Sequence, residues 1–388
     1  MQTLDKNTLI SEAIAWRHHL HSIPELAYKE VQSSDFIAQK LTEFGLMVHR
    51  GLAGTGVVGT LKRGTSKRTI GLRADMDALP ITEITGLDYA SRHEGVMHAC
   101  GHDGHMAMLL SAARMLANDE NIDGTIHFIF QPAEENEAGA KRMIEDGLFK
   151  TFPMDAVFGI HNWPDLPVGS AGVISGPAMA AFAIFDIEIK GKGAHAAMPH
   201  KGADPVTTAF QIGNALQTIV SRNISPLSSA VVSITSINGG NTYNVIPKNC
   251  KLSGTARWFE PDVGDKIETN LKNITTSIAI GLGCEASIDY QRRYPATINS
   301  TKETNFAKDI IKKLNPKIEL AEDLKPSMAA EDFAFMLEQC PGAYIWLGAE
   351  RPGKNPGLHA PDFNFNDDII PTGVELWHNL ALTHLESV

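Results

Sequence analysis

The alternation of short apolar runs with helical segments constrains the fold of this chain more than any other feature. Apolar runs occupy residues 69–75, 125–132 and 154–161, and segments of helical periodicity separate them, among them HMAMLLSAARMLA and AGAKRMIEDG. Strands of this kind are apolar on both faces, so helices must cover both sides of their sheet, which is typical of a parallel sheet. The sequence therefore predicts an α/β fold whose mostly parallel sheet is flanked by helices.

The pattern changes near residue 180. Strand-like and helical segments then follow in the order β-α-β-β-α-β as far as residue 293, which is the order of a ferredoxin-like unit. After it the chain returns to helices and to one more apolar run, AYIWLG. We therefore predict a discontinuous first domain, residues 1–179 and 294–388, into which a ferredoxin-like domain of residues 180–293 is inserted.

Charge and hydropathy exclude several classes of partner. The chain has 34 Lys and Arg residues against 45 Asp and Glu residues, a net charge of −11, and no basic cluster, so we expect no nucleic-acid partner. No apolar run reaches the roughly 18 residues that a membrane helix needs, and the first residues lack the pattern of a signal peptide. The four cysteines are scattered, as is usual in a reducing compartment. We predict a cytoplasmic protein without a membrane partner.

Polar side chains follow each of the three apolar runs. Asp75 ends the first run and Asp77 follows it, Glu134 and Glu135 come after the second, and His161 ends the third. In an open α/β sheet, ligands bind outside the carboxyl ends of the strands. We therefore expect these side chains to converge on one crevice.

Two further clusters carry metal-binding side chains. HACGHDGH contains Cys100 and His102, and LHAPDF contains His359. Thiolate, imidazole and carboxylate are the groups that bind zinc-like ions, and their dispersal over several runs disfavours a structural site of the Cys-x-x-Cys type. A lone histidine is more often a hydrogen-bonded structural residue, but five clusters at strand ends favour a metal site.

The adjacent carboxylates Glu134 and Glu135 indicate a division of roles. One can bind a metal ion while the other takes a proton from water, because a metal lowers the pKa of its water to about 7 and a nearby Glu then serves as general base. The alternative is that both are solvated acids at the start of an acidic helix, where the helix dipole favours them.

A series of motifs across nearly the whole chain carries a family resemblance. In order they are RADMDALP, MHACGHDGH, QPAEE, HNWP, GKGAHAAMPH, NVIP, EDF and LHAPDF. Together they resemble the aminoacylase-type metallopeptidase family, in the subgroup of hippurate hydrolases, indole-acetyl-amino-acid amidohydrolases and N-acetyldiaminopimelate deacetylases. The agreement in order and context makes the resemblance specific.

The resemblance implies a site with two divalent metal ions per subunit, with zinc, manganese, cobalt or nickel as candidates. It identifies Glu134 as the general base and Asp75 as a residue that orients a ligand. The metal ligands that it implies are Cys100, His102, Glu135, His161 and His359.

The resemblance also implies roles for the inserted domain, which in the family forms a homodimer, or a dimer-based oligomer, and a lid. His195 is expected to stabilise the oxyanion in a neighbouring subunit's site, and Asn244 and Arg257 to bind the substrate's carboxylate. Met106 and Trp258 depart from the residues usual in the family, and we expect them to reshape the substrate pocket.

The activity implied is a metal-dependent amidohydrolase that cleaves small-molecule N-acyl-amino acids to a carboxylate and a free amino acid. Three alternatives remain open at this point. One is a dipeptidase or aminopeptidase that uses the same site, and another is a catalytically silent member kept for binding. The third is a thiol hydrolase with Cys100 as nucleophile.

Overall fold

The computed structural model describes residues 5–351, 353 and 355–386. The chain divides into two compact units. Residues up to 178, 297–326 and 332 onwards form the first unit, and residues 179–296 and 327–331 form the second. No feature of the sequence indicated that 327–331 belongs to the second unit.

The strands of the described part of the chain range from two to ten residues. In chain order they are β1 (Met47–Leu52), β2 (Gly56–Arg63), β3 (Thr69–Asp75), β4 (Gly124–Gln131), β5 (Ala156–Trp163), β6 (Ser170–Gly172), β7 (Gly176–Met179), β8 (Ala181–Lys190), β9 (Ala194–His195), β10 (Ala230–Gly239), β11 (Val245–Ile246), β12 (Asn249–Trp258), β13 (Glu285–Tyr294), β14 (Thr297–Asn299), β15 (Glu319–Leu320) and β16 (Gly342–Gly348).

The α-helices of the same residues range from one turn to about six turns. In chain order they are α1 (Lys6–Ser22), α2 (Val31–Glu43), α3 (His102–Ala117), α4 (Gly139–Glu145), α5 (Leu148–Thr151), α6 (Pro205–Leu216), α7 (Pro261–Gly281), α8 (Thr301–Lys313), α9 (Ala334–Leu337) and α10 (Ile370–Glu386).

The first unit is built on an eight-stranded sheet in the order β1-β2-β4-β3-β5-β16-β6-β15. Its central strands β4, β3, β5 and β16 are parallel to one another. Every residue of β4 is buried, because helices cover both faces of the sheet. The predicted α/β fold with a mostly parallel sheet is confirmed. The antiparallel hairpin of β1 and β2 was not predicted, since its glycine-rich sequence lacks a strand period.

The second unit has its own sheet, in the order β10-β12-β8-β13, with antiparallel neighbours throughout. Helices α6 and α7 lie between its strands in the chain, so that the main elements follow the order β-α-β-β-α-β. The short strands β9 and β11 pair with each other in a separate ribbon. A hydrophobic core distinct from that of the first unit holds these elements together.

The structure contradicts the expectation that Met106 and Trp258 reshape the substrate pocket. Met106 is fully buried in the hydrophobic core of the first unit, where α3 packs against β3 and between α1 and α10. Trp258 is buried in the core of the second unit and contacts Gly264 of α7 so closely that a Cβ there would lie 2.4 Å from the indole ring. Both are packing residues, and the sequence motif could not indicate which way they face.

Among the described residues, each helix is either too short or too polar to cross a membrane.

Candidate metal centre

Four of the predicted site residues of the first unit lie at or just beyond the carboxyl ends of its parallel strands. Asp75 ends β3 opposite Gln131, the last residue of β4, and Glu134 and Glu135 follow β4 after two intervening residues. His161 lies near the end of β5, the next strand in the sheet. Parallel strands bring these positions to one edge, as the sequence predicted.

Cys100 and His102 reach the same edge from the start of α3. Gly101 between them caps this helix with a φ of 94°, a left-handed conformation that favours glycine. A Cβ on Gly101 would also lie 2.3 Å from Oδ1 of Asn162 in β5. The glycine therefore allows the thiol and the imidazole to lie close to the strand that carries His161.

The five predicted ligands lie in one continuous cluster. The ligand atoms of Cys100, Glu135 and His359 are all within 4.8 Å of one another, and Glu135 also lies within that distance of His102 and Glu134. His161 joins the cluster because its Nε2 is 3.5 Å from Sγ of Cys100. Nε2 of His359 is 3.2 Å from Oε1 of Glu135.

Two of the imidazoles are held in the tautomer that metal binding requires. Nδ1 of His102 donates to the backbone oxygen of Asp77 at 2.8 Å, and Nδ1 of His161 donates to the backbone oxygen of Asn162 at 2.8 Å. In each neutral ring the lone pair is then on Nε2, which faces the cluster. Nε2 of His102 is buried without a hydrogen-bond partner, as expected for an atom that binds a metal ion.

The electrostatics of the cluster fit a cation. Burial, together with Glu135 and Glu134, raises the pKa of the Cys100 thiol well above its usual value. Although burial opposes it, the carboxylates of Asp75 and Asp77 raise the pKa of His102 to about 10. The site therefore has an excess of buried negative charge, which a divalent ion would balance by favouring the thiolate and replacing the proton of His102.

Asp75 contacts a histidine outside the predicted ligand set. Its Oδ1 lies 2.6 Å from Nδ1 of His105, and its Oδ2 accepts from Arg73 at 2.8 Å. Its nearest approach to His102 is 3.8 Å, from Oδ2 to Nε2. His105 in turn lies 2.6 Å from Oδ1 of Asn162 through its Nε2.

Asp77 makes the contacts with the metal cluster that were expected of Asp75. Its backbone oxygen accepts from His102, and its carboxylate oxygens accept from the backbone amides of Glu134 and Glu135 at 3.0 and 2.9 Å. Sequence reasoning missed this role. The only available signal was the second Asp of the RADMD motif, two residues after Asp75.

The structure brings together two of the three functional residues predicted in the second unit. His195 in β9 pairs with Val245 in β11, next to Asn244, and both predicted residues are exposed. Nδ1 of His195 accepts from the backbone amide of Ala197 at 3.1 Å, so the neutral ring carries its proton on Nε2.

Arg257 lies elsewhere in the second unit. It is near the far end of β12, eight residues beyond Asn249, which corresponds to about 26 Å of extended strand. Its guanidinium packs over the ring of Phe182 at 4.8 Å and donates from Nη1 to the backbone oxygen of Met328 at 3.2 Å. Within one chain, therefore, Arg257 does not join His195 and Asn244.

Known proteins resemble this chain over nearly its whole length. N-acetyl-L-cysteine deacetylase of Bacillus subtilis is 42% identical over 94% of this chain and 86% of its own length. Hippurate hydrolase of Campylobacter jejuni is 41% identical over 95% and 96%. A crystal structure described as a dinuclear metal binding peptidase of the M20 family, from Bacillus subtilis, superposes with a TM-score of 0.84 at 34% identity and covers 98% of this chain and 100% of that one.

The family assignment rests on these relatives and on a sequence profile. Residues 71–383 match the profile of peptidase family M20/M25/M40, a range that includes every predicted metal ligand. Together with the cluster of thiol, imidazole and carboxylate groups, the match means that the chain binds divalent metal. This chain belongs to peptidase family M20/M25/M40, in its amidohydrolase subgroup, and is a metal-dependent hydrolase of amide bonds.

Proposed function

We propose that this metal-dependent amidohydrolase cleaves N-acyl-amino acids with Glu134 and Glu135 in different roles. The observation that carries the proposal is the different surroundings of the two carboxylates. Glu135 lies within 4.8 Å of ligand atoms on Cys100 and His359 as well as on His102, whereas the two groups that contain Glu134 include only His102 and Glu135 from the predicted ligand set. Glu135 is therefore the ligand that lies near both His102 and the pair of Cys100 and His359, and Glu134 is the base.

The residues that would hold the metal are Cys100, His102, Glu135, His161 and His359. Two divalent ions, when bound, supply Lewis-acid activation of the water and of the amide carbonyl. Glu134 takes the proton of the attacking water and then delivers it to the departing nitrogen. The products are a carboxylate and a free amino acid, so one water molecule is consumed for each amide bond cleaved.

We propose that the orienting role is shared between the two aspartates of the RADMD motif. Asp77 orients His102 and the amides of Glu134 and Glu135 directly. Asp75 acts at one remove, because it contacts His105, whose ring lies with its centroid 4.5 Å from that of His161. Carboxylates placed behind metal-binding imidazoles fix their tautomer and orientation.

We propose further that the second unit, the predicted insertion at 180–293, forms a homodimer and supplies His195 to the partner's site, which lies in the domain of residues 1–179 and 294–388. Strand β10 is at the edge of its sheet, and Ile237 on β10 and Phe210 on the neighbouring α6 are 46% and 60% exposed. An edge strand with exposed apolar neighbours favours pairing with another chain. Sedimentation of a Phe210→Glu variant tests this surface, and we expect the variant to be monomeric.

A dimer would also explain the separation of the substrate-binding candidates. About 26 Å of β12 separates the region of His195 and Asn244 from Arg257. Residues at both ends of one unit can serve one substrate only if two chains contribute. We propose that Arg257 binds the substrate's carboxylate, while Asn244 and the Nε2–H of His195 act in the partner's site.

Metal identity and cellular location are proposals of the same kind. Zinc, manganese, cobalt and nickel all suit a mixed set of nitrogen, oxygen and sulfur donors, and availability decides among them. The cysteines Cys100, Cys250, Cys284 and Cys340 are free and buried. Free thiols of this kind agree with a cytoplasmic location.

A panel of substrates on the purified protein tests the proposed reaction. The panel contains hippurate, N-acetyl-amino acids, N-acetyldiaminopimelate and indole-acetyl conjugates, each assayed with each metal in turn. We expect hydrolysis of these N-acyl-amino acids and poor cleavage of dipeptides that have a free amine. Faster cleavage of dipeptides would favour the peptidase alternative. Loss of all activity with chelator, and its return with metal, would exclude Cys100 as nucleophile, a role that its raised pKa already opposes.

A further inference from the structure

The loop between β4 and α4, residues 132–138, carries both Glu134 and Glu135, and three of its other residues have an unfavourable backbone conformation. Ala133, Asn136 and Ala138 have φ values of 57°, 67° and 57°, in the left-handed region that non-glycine residues rarely adopt. Such conformations persist only where surrounding contacts hold them, and they cluster at functional sites. The contacts of this loop therefore show what keeps the two carboxylates in place.

Three consecutive amides of the loop donate to buried carboxylates from other parts of the first unit. The amide of Ala133 donates to Oε1 of Glu30 at 2.9 Å, and those of Glu134 and Glu135 donate to Asp77. The loop is closed by the amide of Gly139, which donates to the backbone oxygen of Ala133 at 2.9 Å. Asp77 contacts the metal cluster directly, but Glu30 belongs to none of the ligand groups.

Glu30 is itself held in position. It is fully buried, its Oε1 also accepts from the amide of Tyr28 at 3.0 Å, and its Oε2 accepts from the hydroxyl of Thr55 at 2.6 Å. Thr55 lies in the turn between β1 and β2, so that Glu30 joins three separate segments of the chain. A side chain with this many partners and no solvent contact can maintain a strained backbone.

We propose that Glu30 is a positioning residue for hydrolysis, which keeps Ala133 in its left-handed conformation and so aims Glu134 and Glu135. This inference rests on the roles proposed above for those two residues. Ala133 precedes Glu134 directly, so a rotation of its φ would swing both carboxylates away from the metal cluster. A misplacement of about 1 Å can cost about 10²-fold in rate.

The reach of the side chain matters in this account, and its charge does not. Gln has the length of Glu and an oxygen that accepts from Ala133, and its amide can donate to the Thr55 hydroxyl. Asp keeps the charge but is one methylene shorter and cannot span the 2.9 Å hydrogen bond without moving the loop. Burial raises the pKa of Glu30 to about 7, so the neutral form of this residue is accessible in the native protein.

The test compares Glu30→Gln with Glu30→Asp, both loaded with metal and assayed well below their melting temperatures. We expect Glu30→Gln to keep kcat within about threefold of wild type, and Glu30→Asp to lose about 10- to 100-fold in kcat with little change in KM. Absorption spectra of the Co²⁺-loaded proteins give a second readout, and they should be altered in Glu30→Asp only. Wild-type kcat and spectrum in Glu30→Asp would overturn the proposal, as would equal losses in both variants.

A second substitution tests whether the effect passes through Ala133. Glycine adopts positive φ without a steric penalty, so Ala133→Gly should restore at least part of the kcat that Glu30→Asp loses. No recovery in the double variant would overturn the mechanism. A Glu134→Gln sample separates this question from the proposed function: if it stays fully active, the base assignment fails, while the Co²⁺ spectra still report whether Glu30 positions the loop.

Discussion

The metal-binding edge of the first unit and the β9–β11 ribbon of the second unit differ in how their polar groups are satisfied. At the metal-binding edge, most of the carboxylates and imidazoles are buried and held by partners within the same unit, such as Asp77 on His102, while the side chain of His359 is half exposed. On the ribbon, His195 and Asn244 are exposed, and the proton on Nε2 of His195 is directed away from its own backbone contact.

This contrast separates a preorganised site from a surface that needs a partner. A buried cluster with its tautomers already set can bind metal without further change. An exposed histidine stabilises an oxyanion only when another surface places a substrate beside it and excludes water. We therefore expect substitutions at the metal-binding edge to affect metal binding or proton transfer, and substitutions on the ribbon to affect turnover or substrate binding while the metal content stays unchanged.

The largest effect should follow from replacing the base. Glu134→Gln keeps the shape of the side chain but cannot take a proton, so kcat should fall by about 10² to 10⁴-fold with both metals retained. Glu135→Gln is the matched control, since it should lower metal content as well. Steady-state kinetics give kcat, and elemental analysis of the dialysed protein gives the metal content. Retention of more than half of the wild-type kcat in Glu134→Gln would contradict the base assignment.

His195→Ala should lower kcat by about 10² to 10³-fold, the usual effect of losing an oxyanion donor. Metal content and melting temperature should stay at their wild-type values, because the side chain is exposed and lies in the second unit. Kinetics and elemental analysis on the same sample test both statements. A loss of metal in His195→Ala would break the distinction between the two regions.

Asp77→Asn should have a smaller effect, about 10- to 100-fold in metal affinity or activity, because it weakens the partner of a ligand and leaves the ligand itself. Its amide side chain can accept from only one of the two amides that the carboxylate binds. Asp75→Asn is the comparison, and it should affect metal affinity less, since Asp75 contacts His105. Calorimetric titration of metal into the apoprotein measures the metal affinity of both variants. The opposite order would return the orienting role to Asp75 alone.

The remaining effect is on stability and not on activity, and it depends on pH. Burial, and to a lesser extent the charge of Asp77, raises the pKa of Glu30 from 4.5 to about 7, while the Thr55 hydroxyl opposes the shift. Glu30 therefore stays protonated to a higher pH in the native state than in the unfolded state. The stability that the protonated side chain contributes is present below about pH 4.5 and is lost as the pH rises through about 7. The Gln side chain of the Glu30→Gln variant does not titrate. The free energy of unfolding of this variant should therefore rise relative to that of wild type as the pH rises, by up to about 3 kcal/mol.

Melting temperatures of the two proteins between pH 5 and pH 8 measure this difference. It should be small at pH 5 and largest at pH 8. A constant difference across the range would mean that Glu30 titrates at its ordinary pKa.

The sequence predicted those features of the fold and the site that local patterns specify. The apolar runs at 69–75, 125–132 and 154–161 became β3, β4 and β5, because strands buried on both faces must be apolar throughout. The ligand candidates were recognisable because Cys, His and Glu stand in short motifs at the ends of those strands.

Features that depend on distant contacts could not be predicted. Glu30 meets Ala133 across 103 positions of sequence, and no motif links the two residues. Asp75 and Asp77 are two positions apart in one motif. They have different partners because β3 ends at Asp75, so that Asp77 lies in the loop beyond the strand. Met106 was assigned to a pocket because a departure from a family pattern does not reveal which way a side chain faces.

Mixing two inactive variants tests most directly whether a metal site in one chain is completed by the second unit of another. A His195→Ala chain and a Glu134→Gln chain are combined under conditions that exchange subunits, and the exchange is verified independently. In each mixed dimer, one of the two sites then has both Glu134 and the partner subunit's His195, so an equal mixture should recover about a quarter of the wild-type activity. No recovery despite proven exchange would mean that His195 does not act in a neighbouring subunit, and the comparison between the two regions would have to be abandoned.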